Sequence, residues 1–322
     1  MERGLSKWAG GTWAPLPREE GGGGVFGAEI ETRVTAPYLK LWPRIVVSIA
    51  ALSLMLKLSE RLAKEDLVKR LESELSGDFE RAVYRWVLDP EDRDAVLLHV
   101  AITKKPVPDY PVIIEISCIQ SPEEFLATKR GYQARYKRSL EEDVAQHTSG
   151  DIRKFLVGLV SVYRYKGQEI NARLANSEAD ILHKAIKEKA FCHDEVVRII
   201  TTRSKAQILA TLNNYKDDHG SSITKHLRGD PSGEYLSALR TAIRCFSDHE
   251  KYYEKVIRQA LNRPGTDEES VTRVVVTRAE KDLKEIKELF QKRNNVTLDH
   301  AVAKDTSGHY KAFLLTLLGN QD

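Results

Sequence analysis

Four short segments of this chain match one another at nearly regular spacing, and this repetition constrains the fold more than any other feature. Each segment centres on a glycine, and successive glycines lie 73, 83 and 75 residues apart. The four segments are ELSGDF at Gly77, HTSGDI at Gly150, DPSGEY at Gly233 and DTSGHY at Gly308. Self-similarity at a fixed period indicates several copies of one supersecondary unit that pack against their neighbours.

The residues around each glycine also repeat, and they do so with helical spacing. Apolar side chains follow each glycine at positions +2, +6 and +9, as Tyr310, Leu314 and Leu317 do in the last copy. Ten residues before the glycines stand Leu67, Leu140, Ile223 and Leu298. Because such offsets keep one face of a helix apolar, each glycine segment is predicted to join two helices. A unit of about 75 residues has room for about five short helices.

Composition supports a helical, globular chain. Leu, Ala, Lys, Glu and Arg dominate after the first forty or so residues, and 41% of the chain is hydrophobic. Lys and Arg number 50 against 47 Asp and Glu, a balance that weighs against a nucleic-acid partner. Three cysteines, none in a CxxC spacing, indicate neither a disulfide framework nor a zinc site, and they fit a reducing intracellular compartment.

The N-terminal segment, residues 1–44, has a different character. It contains the stretch GGTWAPLPREEGGGG, which is rich in Gly and Pro and carries no helical period. Such composition predicts a segment without fixed structure. The apolar run at residues 45–56 is too short to span a bilayer, so a buried helix and no transmembrane segment are expected there.

Two stretches carry a resemblance to a known family. TTRSKAQILATLNNYKDDHG in the third unit and GTDEESVTRVVVTRAEKDL in the fourth resemble annexin repeats, most closely those of plant annexins. The resemblance covers about residues 45–319 and implies an all-α, curved disc of four five-helix repeats with an incomplete first repeat. The implied bounds are 45–90 for partial repeat one, 91–166 for repeat two, 167–249 for repeat three and 250–322 for repeat four.

The stretch LNRPGTDEES, residues 261–270, is the candidate metal loop. Pro264 and Gly265 interrupt the chain between two helical patterns, and Thr266 with Glu269 has the spacing of a capping box. Calcium prefers six to eight oxygen ligands, and glycine allows a loop to direct several carbonyls at one ion. A loop of carbonyls still lacks the negative charge that a carboxylate supplies.

The resemblance to annexins implies where that carboxylate lies, because in the family an acid about 40 residues downstream completes the site. Here Asp305 stands 40 residues after Gly265. The implied ligands of Ca²⁺ are the carbonyl oxygens of Leu261, Arg263 and Gly265 and the carboxylate of Asp305. Arg263 stands where many annexins have glycine, but only its main-chain carbonyl is needed.

The other three repeats each lack a part of this pattern. Repeat one keeps an acid, Glu74, but Val34 stands where a loop glycine would be. Repeat two has His147 in the acid position and KKPVPDYP as its loop. Repeat three keeps Asp230, but its loop KEKAFCHDE contains no glycine. The sequence therefore predicts one calcium site of this type.

The resemblance to annexins implies a peripheral membrane protein, and no catalysis is expected. The resemblance implies that calcium bridges the loop to anionic phospholipids, with a cytoplasmic protein moving to membranes when calcium rises. Lys187, Lys189 and Arg263 are candidate lipid contacts, although ordinary solvated lysines at a helix end explain the first two equally well. The alternative is a helical scaffold that has lost calcium binding and acts through protein partners such as actin.

Two further sequence features concern actin binding and redox behaviour. The segment VRII at residues 197–200 resembles a segment invoked for actin binding in annexins, but its apolar period favours the core. Cys118 and Cys245 fall where plant annexins carry a cysteine pair linked to redox behaviour. Their apolar surroundings favour inert buried thiols.

Overall fold

The computed structural model describes residues 77–227 and 233–319, and within these ranges every regular element is helical. Residues 1–76, which include the predicted N-terminal segment, the apolar run at 45–56, Val34 and Glu74, lie outside the described residues, as does Asp230. No helix in the described ranges is both long and apolar enough to cross a membrane.

The described helices follow one another in sixteen segments. They are α1 (Asp78–Val87), α2 (Pro90–Thr103), α3 (Tyr110–Ile119), α4 (Pro122–Tyr136), α5 (Leu140–His147), α6 (Gly150–Ser161), α7 (Ala172–Lys187), α8 (Asp194–Thr202), α9 (Lys205–His219), α10 (Ile223–His226), α11 (Glu234–Ser247), α12 (His249–Leu261), α13 (Glu268–Arg278), α14 (Leu283–Asn294), α15 (Leu298–Asp305) and α16 (Gly308–Leu317).

Three runs of five helices follow α1, and the same contacts recur in each run. The first helix packs against the third, as α2 does on α4, α7 on α9 and α12 on α14. The fourth packs against the fifth, as α5 does on α6, α10 on α11 and α15 on α16. We refer to α2–α6 as repeat two, α7–α11 as repeat three and α12–α16 as repeat four.

The apolar positions that repeat in the sequence form the core of these units. Ile152, Leu156 and Leu159 are buried in repeat two, and Tyr310 and Leu314 are buried in repeat four. The residues ten positions before the glycines, Leu140, Ile223 and Leu298, are the buried first residues of α5, α10 and α15. The helix-joining role predicted for the glycine segments is confirmed in the three repeats described here.

A serine starts the third helix of two repeats. Ser121 Oγ accepts the Glu124 N–H at 3.2 Å, and the Glu124 carboxylate accepts the Ser121 N–H at 2.9 Å. Ser204 Oγ accepts the Gln207 N–H at 3.1 Å. These bonds satisfy N–H groups that the first turn of a helix leaves without partners. Repeat four has Ala279 at the equivalent position, and α14 begins without a side-chain cap.

A buried polar cluster joins repeat two to repeat four. The Glu115 carboxylate on α3 forms an ion pair with the Arg273 guanidinium on α13, and both side chains are almost fully buried. The Tyr252 hydroxyl on α12 donates to Glu115 Oε2 at 3.0 Å. Burial opposes the charge of Arg273, but the neighbouring Glu115 carboxylate raises the pKa of this guanidinium above its usual value.

Candidate calcium site

The loop between α12 and α13 turns back on the end of α12. The Asn262 N–H donates to the Arg258 carbonyl at 3.1 Å, and the Asp267 N–H donates to the Ala260 carbonyl at 3.1 Å. Between these bonds, Gly265 adopts a φ of +73°. A side chain at this φ would be strained, so glycine is what allows the loop to close here.

The predicted site depends on three carbonyl oxygens. Among the residues that the structure describes, no donor contacts the carbonyl oxygen of Leu261, Arg263 or Gly265. Residues 262–265 are all exposed. Buried carbonyls are nearly always paired in folded proteins, whereas these three remain available to water or to a cation.

Asp305 lies beside this loop. It is the last residue of α15, and its carbonyl accepts a hydrogen bond from Thr266 Oγ1 at 3.1 Å. This bond joins two segments 39 residues apart. The Asp305 carboxylate makes no hydrogen bond or ion pair with any residue in the described ranges. The structure thus brings Asp305 to the loop that contains the three carbonyls.

This set of donors fits calcium. Main-chain carbonyls and one carboxylate are hard oxygen ligands, which Ca²⁺ prefers over nitrogen or sulfur. Within the described part of the chain, no group of three or more His, Cys, Asp or Glu side chains is arranged to hold a metal. A site built mainly from main-chain oxygens is compatible with that finding, because carbonyls carry most of the coordination.

The predicted capping box at Thr266 and Glu269 is wrong. The residue that caps α13 is Asp267, whose Oδ1 accepts the Ser270 N–H at 3.2 Å while Ser270 Oγ donates to Oδ2 at 3.0 Å. Thr266 is instead bonded to Asp305, and Glu269 accepts from Arg85 at 2.6 Å. Aspartate is as good a cap as threonine, so the D-x-x-S pattern was a signal of equal weight.

The candidate lipid contacts lie in two different loops. Arg263 Nη1 is 3.3 Å from Asp267 Oδ2, and 59% of its side chain is exposed. Lys187 is the exposed last residue of α7, and Lys189 is exposed in the following turn with a φ of +54°. These positions are open to solvent and place no obstacle to a lipid contact.

The sequence of the chain is similar to that of known proteins. A sequence profile described as Annexin matches residues 93–159, 177–241 and 252–317. The chain belongs to the annexin family. It is 65% identical over 263 residues to annexin-like protein RJ4 of Fragaria ananassa, covering 82% of this chain and 83% of the relative. It is 56% identical to annexin D7 of Arabidopsis thaliana, covering 80% of this chain and 81% of the relative.

Solved structures agree with the sequence comparison. The fold matches annexin III with a TM-score of 0.72 at 30% identity, covering 80% of each chain. It matches calcium-bound annexin (Sm)1 with a TM-score of 0.68 at 26% identity, covering 80% of this chain and 78% of the other. The predicted all-α annexin repeat fold and the resemblance to plant annexins are confirmed. Annexins in general bind calcium and bind phospholipid membranes peripherally and without catalysis.

In this annexin the loop of repeat two differs from that of repeat four. Lys104 Nζ pairs with Asp109 Oδ2 at 3.0 Å across the loop, and the Asp109 N–H donates to the Ala101 carbonyl at 2.8 Å. In the position of the acid, His147 Nδ1 lies 2.8 Å from the carbonyl of Asp143 in its own helix. An imidazole in this position has no negative charge to supply to the loop.

The remaining sequence signals fall in the interior. Cys118 and Cys245 are both buried as free thiols. Burial raises the pKa of Cys118 to about 12 and that of Cys245 well above its usual value. In the VRII segment of α8, Val197, Ile199 and Ile200 are buried. A protonated, buried thiol is a poor nucleophile.

Proposed function

We propose that this protein binds anionic phospholipid membranes through one calcium ion held at the loop of repeat four. The ligands would be the carbonyl oxygens of Leu261, Arg263 and Gly265 with the carboxylate of Asp305. The observation that carries the proposal is that three carbonyls, which accept no hydrogen bond from the described residues, share a loop that Thr266 ties to Asp305.

Gly265 and Thr266 have different roles in this proposal. Gly265 provides the backbone conformation that leaves the carbonyls unpaired. Thr266 bonds to the main-chain carbonyl of Asp305 and so holds the end of α15 against the loop. In this proposal, that bond keeps the Asp305 carboxylate near the loop before the cation arrives. Positioning the ligand in advance lowers the entropic cost of assembling the site. Calcium, when bound, would supply a positive charge with coordination positions open to a phosphate oxygen.

Calcium and membrane should then bind cooperatively. Carbonyls and one carboxylate leave part of the preferred shell of six to eight oxygens to water or to lipid. Because the lipid phosphate completes the shell, each ligand raises the affinity of the protein for the other, as linkage requires. With one site of this type, we expect a high calcium demand, since further sites would add avidity.

Basic side chains provide a second contribution. Arg263, Lys187 and Lys189 are exposed, and a basic residue near an anionic surface contributes about 1 kcal/mol. This attraction needs no calcium. We propose that it keeps a small fraction of the protein at membranes before calcium rises, while the cytoplasmic pool joins it afterwards. The repeat bounds 45–90, 91–166, 167–249 and 250–322 belong to the same proposal.

Liposome co-sedimentation across a calcium titration tests the proposal. Vesicles of phosphatidylserine and phosphatidylcholine would be incubated with the native chain, with Asp305→Asn and with Asp218→Asn. Asp218 is exposed on α9 and controls for the loss of one negative charge. We expect Asp305→Asn to raise the half-maximal calcium concentration at least about tenfold, because the neutral amide is a weaker ligand. The control variant should not shift it.

The opposite result would favour the alternative. Lipid binding that ignores both calcium and Asp305 would leave this protein as a helical scaffold acting through protein partners, of which actin is the predicted example. A Lys187→Gln/Lys189→Gln variant separates the two contributions. It should lower binding in the absence of calcium and leave the calcium dependence in place.

A further inference from the structure

A second site is suggested by a groove of about 510 Å³ between repeats three and four. Its walls come from α9, α10, α11, α12 and α14. A groove of this size lies within the range of small-molecule sites. The groove is lined by six cationic side chains: Lys216, Arg244, Lys251, Lys255, Arg258 and Arg293.

The negative charge at this groove is much smaller. Asp248 is the acidic residue among its described lining residues, and its Oδ1 is engaged by the Lys251 N–H at 2.9 Å. Neither Lys216 nor Lys251 forms an ion pair with a carboxylate in residues 77–227 or 233–319. Lys216 and Lys251 therefore face the cavity without a paired carboxylate in the described ranges, a distribution that attracts anions.

A buried carboxylate orients two of the cations. Glu254 on α12 is fully buried, and it accepts from Arg258 Nε at 3.1 Å and from Arg293 Nε at 2.9 Å. The Arg258 and Arg293 side chains remain 33% and 40% exposed. A guanidinium has five N–H donors, so each arginine keeps further donors for a ligand. One carboxylate thus holds two guanidinium groups at the groove.

The spacing of the basic residues favours several phosphate groups over a single carboxylate. Lys251, Lys255 and Arg258 stand at i, i+4 and i+7 of α12 and so share one face of that helix. Hydroxyl groups line the same groove, from Ser222, Thr224 and Ser247. Charge-assisted contacts from ammonium and guanidinium groups, together with hydroxyl donors, match the oxygens of clustered phosphates.

One end of the groove lies far from the candidate calcium loop, although Arg258 at its other end is one turn from that loop. Ser247 and Asp248 mark the hydroxyl-bearing end at the start of α12, whereas the loop follows the last residue of that helix. A helix of 13 residues is about 20 Å long. A ligand at this end of the groove does not compete with lipid at the loop. We propose that the groove binds a small molecule with clustered phosphate groups, and that it does so without calcium.

Isothermal titration calorimetry in calcium-free buffer at physiological ionic strength tests this proposal. Inorganic tripolyphosphate is the probe, with inorganic phosphate as the single-phosphate comparison. The groove variant is Lys216→Gln/Lys251→Gln, and the matched control is Lys184→Gln/Lys205→Gln, two exposed lysines outside the groove. We expect one tripolyphosphate per chain and a dissociation constant at least about tenfold higher in the groove variant. The control should change it less than about threefold.

A second variant protects the test against misfolding. Thr224→Glu places a negative charge at a half-buried residue of α10 that lines the groove, and it should also abolish binding. Thermal unfolding of each variant confirms that the fold is kept. Absence of tripolyphosphate binding to the native chain, or equal weakening in groove and control variants, would overturn the proposal.

Free and lipid-attached phosphates are distinguished in parallel. Inositol 1,4,5-trisphosphate tests a soluble ligand, and phosphatidylcholine vesicles with phosphatidylinositol 4,5-bisphosphate test a headgroup, both without calcium. Loss of either interaction in Lys216→Gln/Lys251→Gln supports the groove and identifies the source of the phosphate. Retention of both in that variant contradicts it. These outcomes are independent of Asp305, so the calcium proposal stands or falls separately.

Discussion

The loops of repeats three and four occupy the same place in their units but use their main chain differently. In repeat three, the carbonyl of Ile186 accepts from the Lys189 N–H at 3.2 Å, and the carbonyl of Ala190 accepts from the His193 N–H at 3.1 Å. In repeat four, the carbonyls of Leu261, Arg263 and Gly265 accept no hydrogen bond from the described residues. Ile186 and Ala190 stand 75 residues before Leu261 and Gly265, so two of the three equivalent carbonyls of repeat three are already engaged and fewer remain for a cation.

Glycine is the chemical origin of this difference. Both loops contain a residue at positive φ, but repeat four uses Gly265 at +73° and repeat three uses Lys189 at +54°. A left-handed residue with a side chain costs roughly 1–2 kcal/mol. Repeat three therefore carries strain and closes a tight turn, whereas repeat four keeps an open loop without strain. The net charge of a loop does not reveal this distinction.

The largest effect is expected for Arg273 on α13, the helix that follows the repeat-four loop. It should show that stability and calcium binding are separable. Arg273→Met would leave the Glu115 carboxylate buried without its partner. Loss of one member of a buried ion pair costs about 3–5 kcal/mol. We expect the midpoint of urea unfolding to fall accordingly. Arg81→Met, which removes a half-exposed pair with Asp78, should cost less than about 1 kcal/mol.

Calcium titrations of the folded Arg273→Met variant complete this test. Because Arg273 is not part of the loop, the half-maximal calcium concentration for vesicle binding should match that of the native chain in conditions where the variant stays folded. A large shift would mean that the loop of repeat four depends on the buried cluster, and the difference between the two loops would no longer be local.

The next effect comes from the loop glycine. Gly265→Val places a β-branched side chain at a φ of +73° and should destabilise the folded protein by about 1–2 kcal/mol. We also expect at least a tenfold increase in the half-maximal calcium concentration, since relaxation of the strain would turn the carbonyls away. Calcium-dependent co-sedimentation with phosphatidylserine vesicles measures this change.

Gly220→Val is the matched control for that substitution. Gly220 ends α9 with a φ of +69°, and a Cβ there would meet no atom within 4 Å, as at Gly265. The two variants should lose similar stability, but only Gly265→Val should lose calcium sensitivity. An equal loss of calcium sensitivity in both would attribute the effect to strain alone and would remove the special role of the repeat-four loop.

Repeat three offers the reverse experiment. Lys189→Gly should relieve strain and raise the free energy of unfolding by about 1 kcal/mol or less, since glycine also has more freedom in the unfolded chain. It should not create a calcium site, because the turn would still use its own carbonyls. Lys187→Gly, at the end of α7, controls for the loss of a lysine. A gain of calcium sensitivity in Lys189→Gly would refute this account.

Much of the fold was predictable because local sequence patterns specify the helices of each repeat. Ser121 and Ser204 lie at one repeated offset and start α4 and α9, and Ala279 at that offset coincides with a helix that lacks a cap. The pairing of Gly265 with Asp305 followed from the family resemblance. The cap of α13 was mispredicted because T-x-x-E and D-x-x-S overlap, and the contact between Thr266 and Asp305 decided between them.

Other features could not be predicted from sequence because they depend on contacts between distant residues. Whether a loop carbonyl is already paired depends on turn geometry, which the letters KEKAFCHDE do not specify. The basic groove collects Lys216, Arg244, Lys251 and Arg293 from four helices, and no stretch of the sequence is strongly basic there. The near balance of basic and acidic residues in the whole chain does not indicate the local excess of basic residues at this groove.

The smallest effect concerns the one side chain that departs from the family pattern in the repeat-four loop. Arg263→Gly restores glycine at that position, and the proposed ligand is a main-chain carbonyl that both residues possess. The half-maximal calcium concentration should therefore change by less than about threefold. Binding to phosphatidylserine vesicles without calcium should weaken by up to about 1 kcal/mol, because an exposed positive charge is removed. Raising the salt concentration should erase that second difference, since it screens exposed charges. A strong rise in calcium demand would show instead that the Arg263 guanidinium, through its contact with Asp267, holds the loop in its calcium-binding shape.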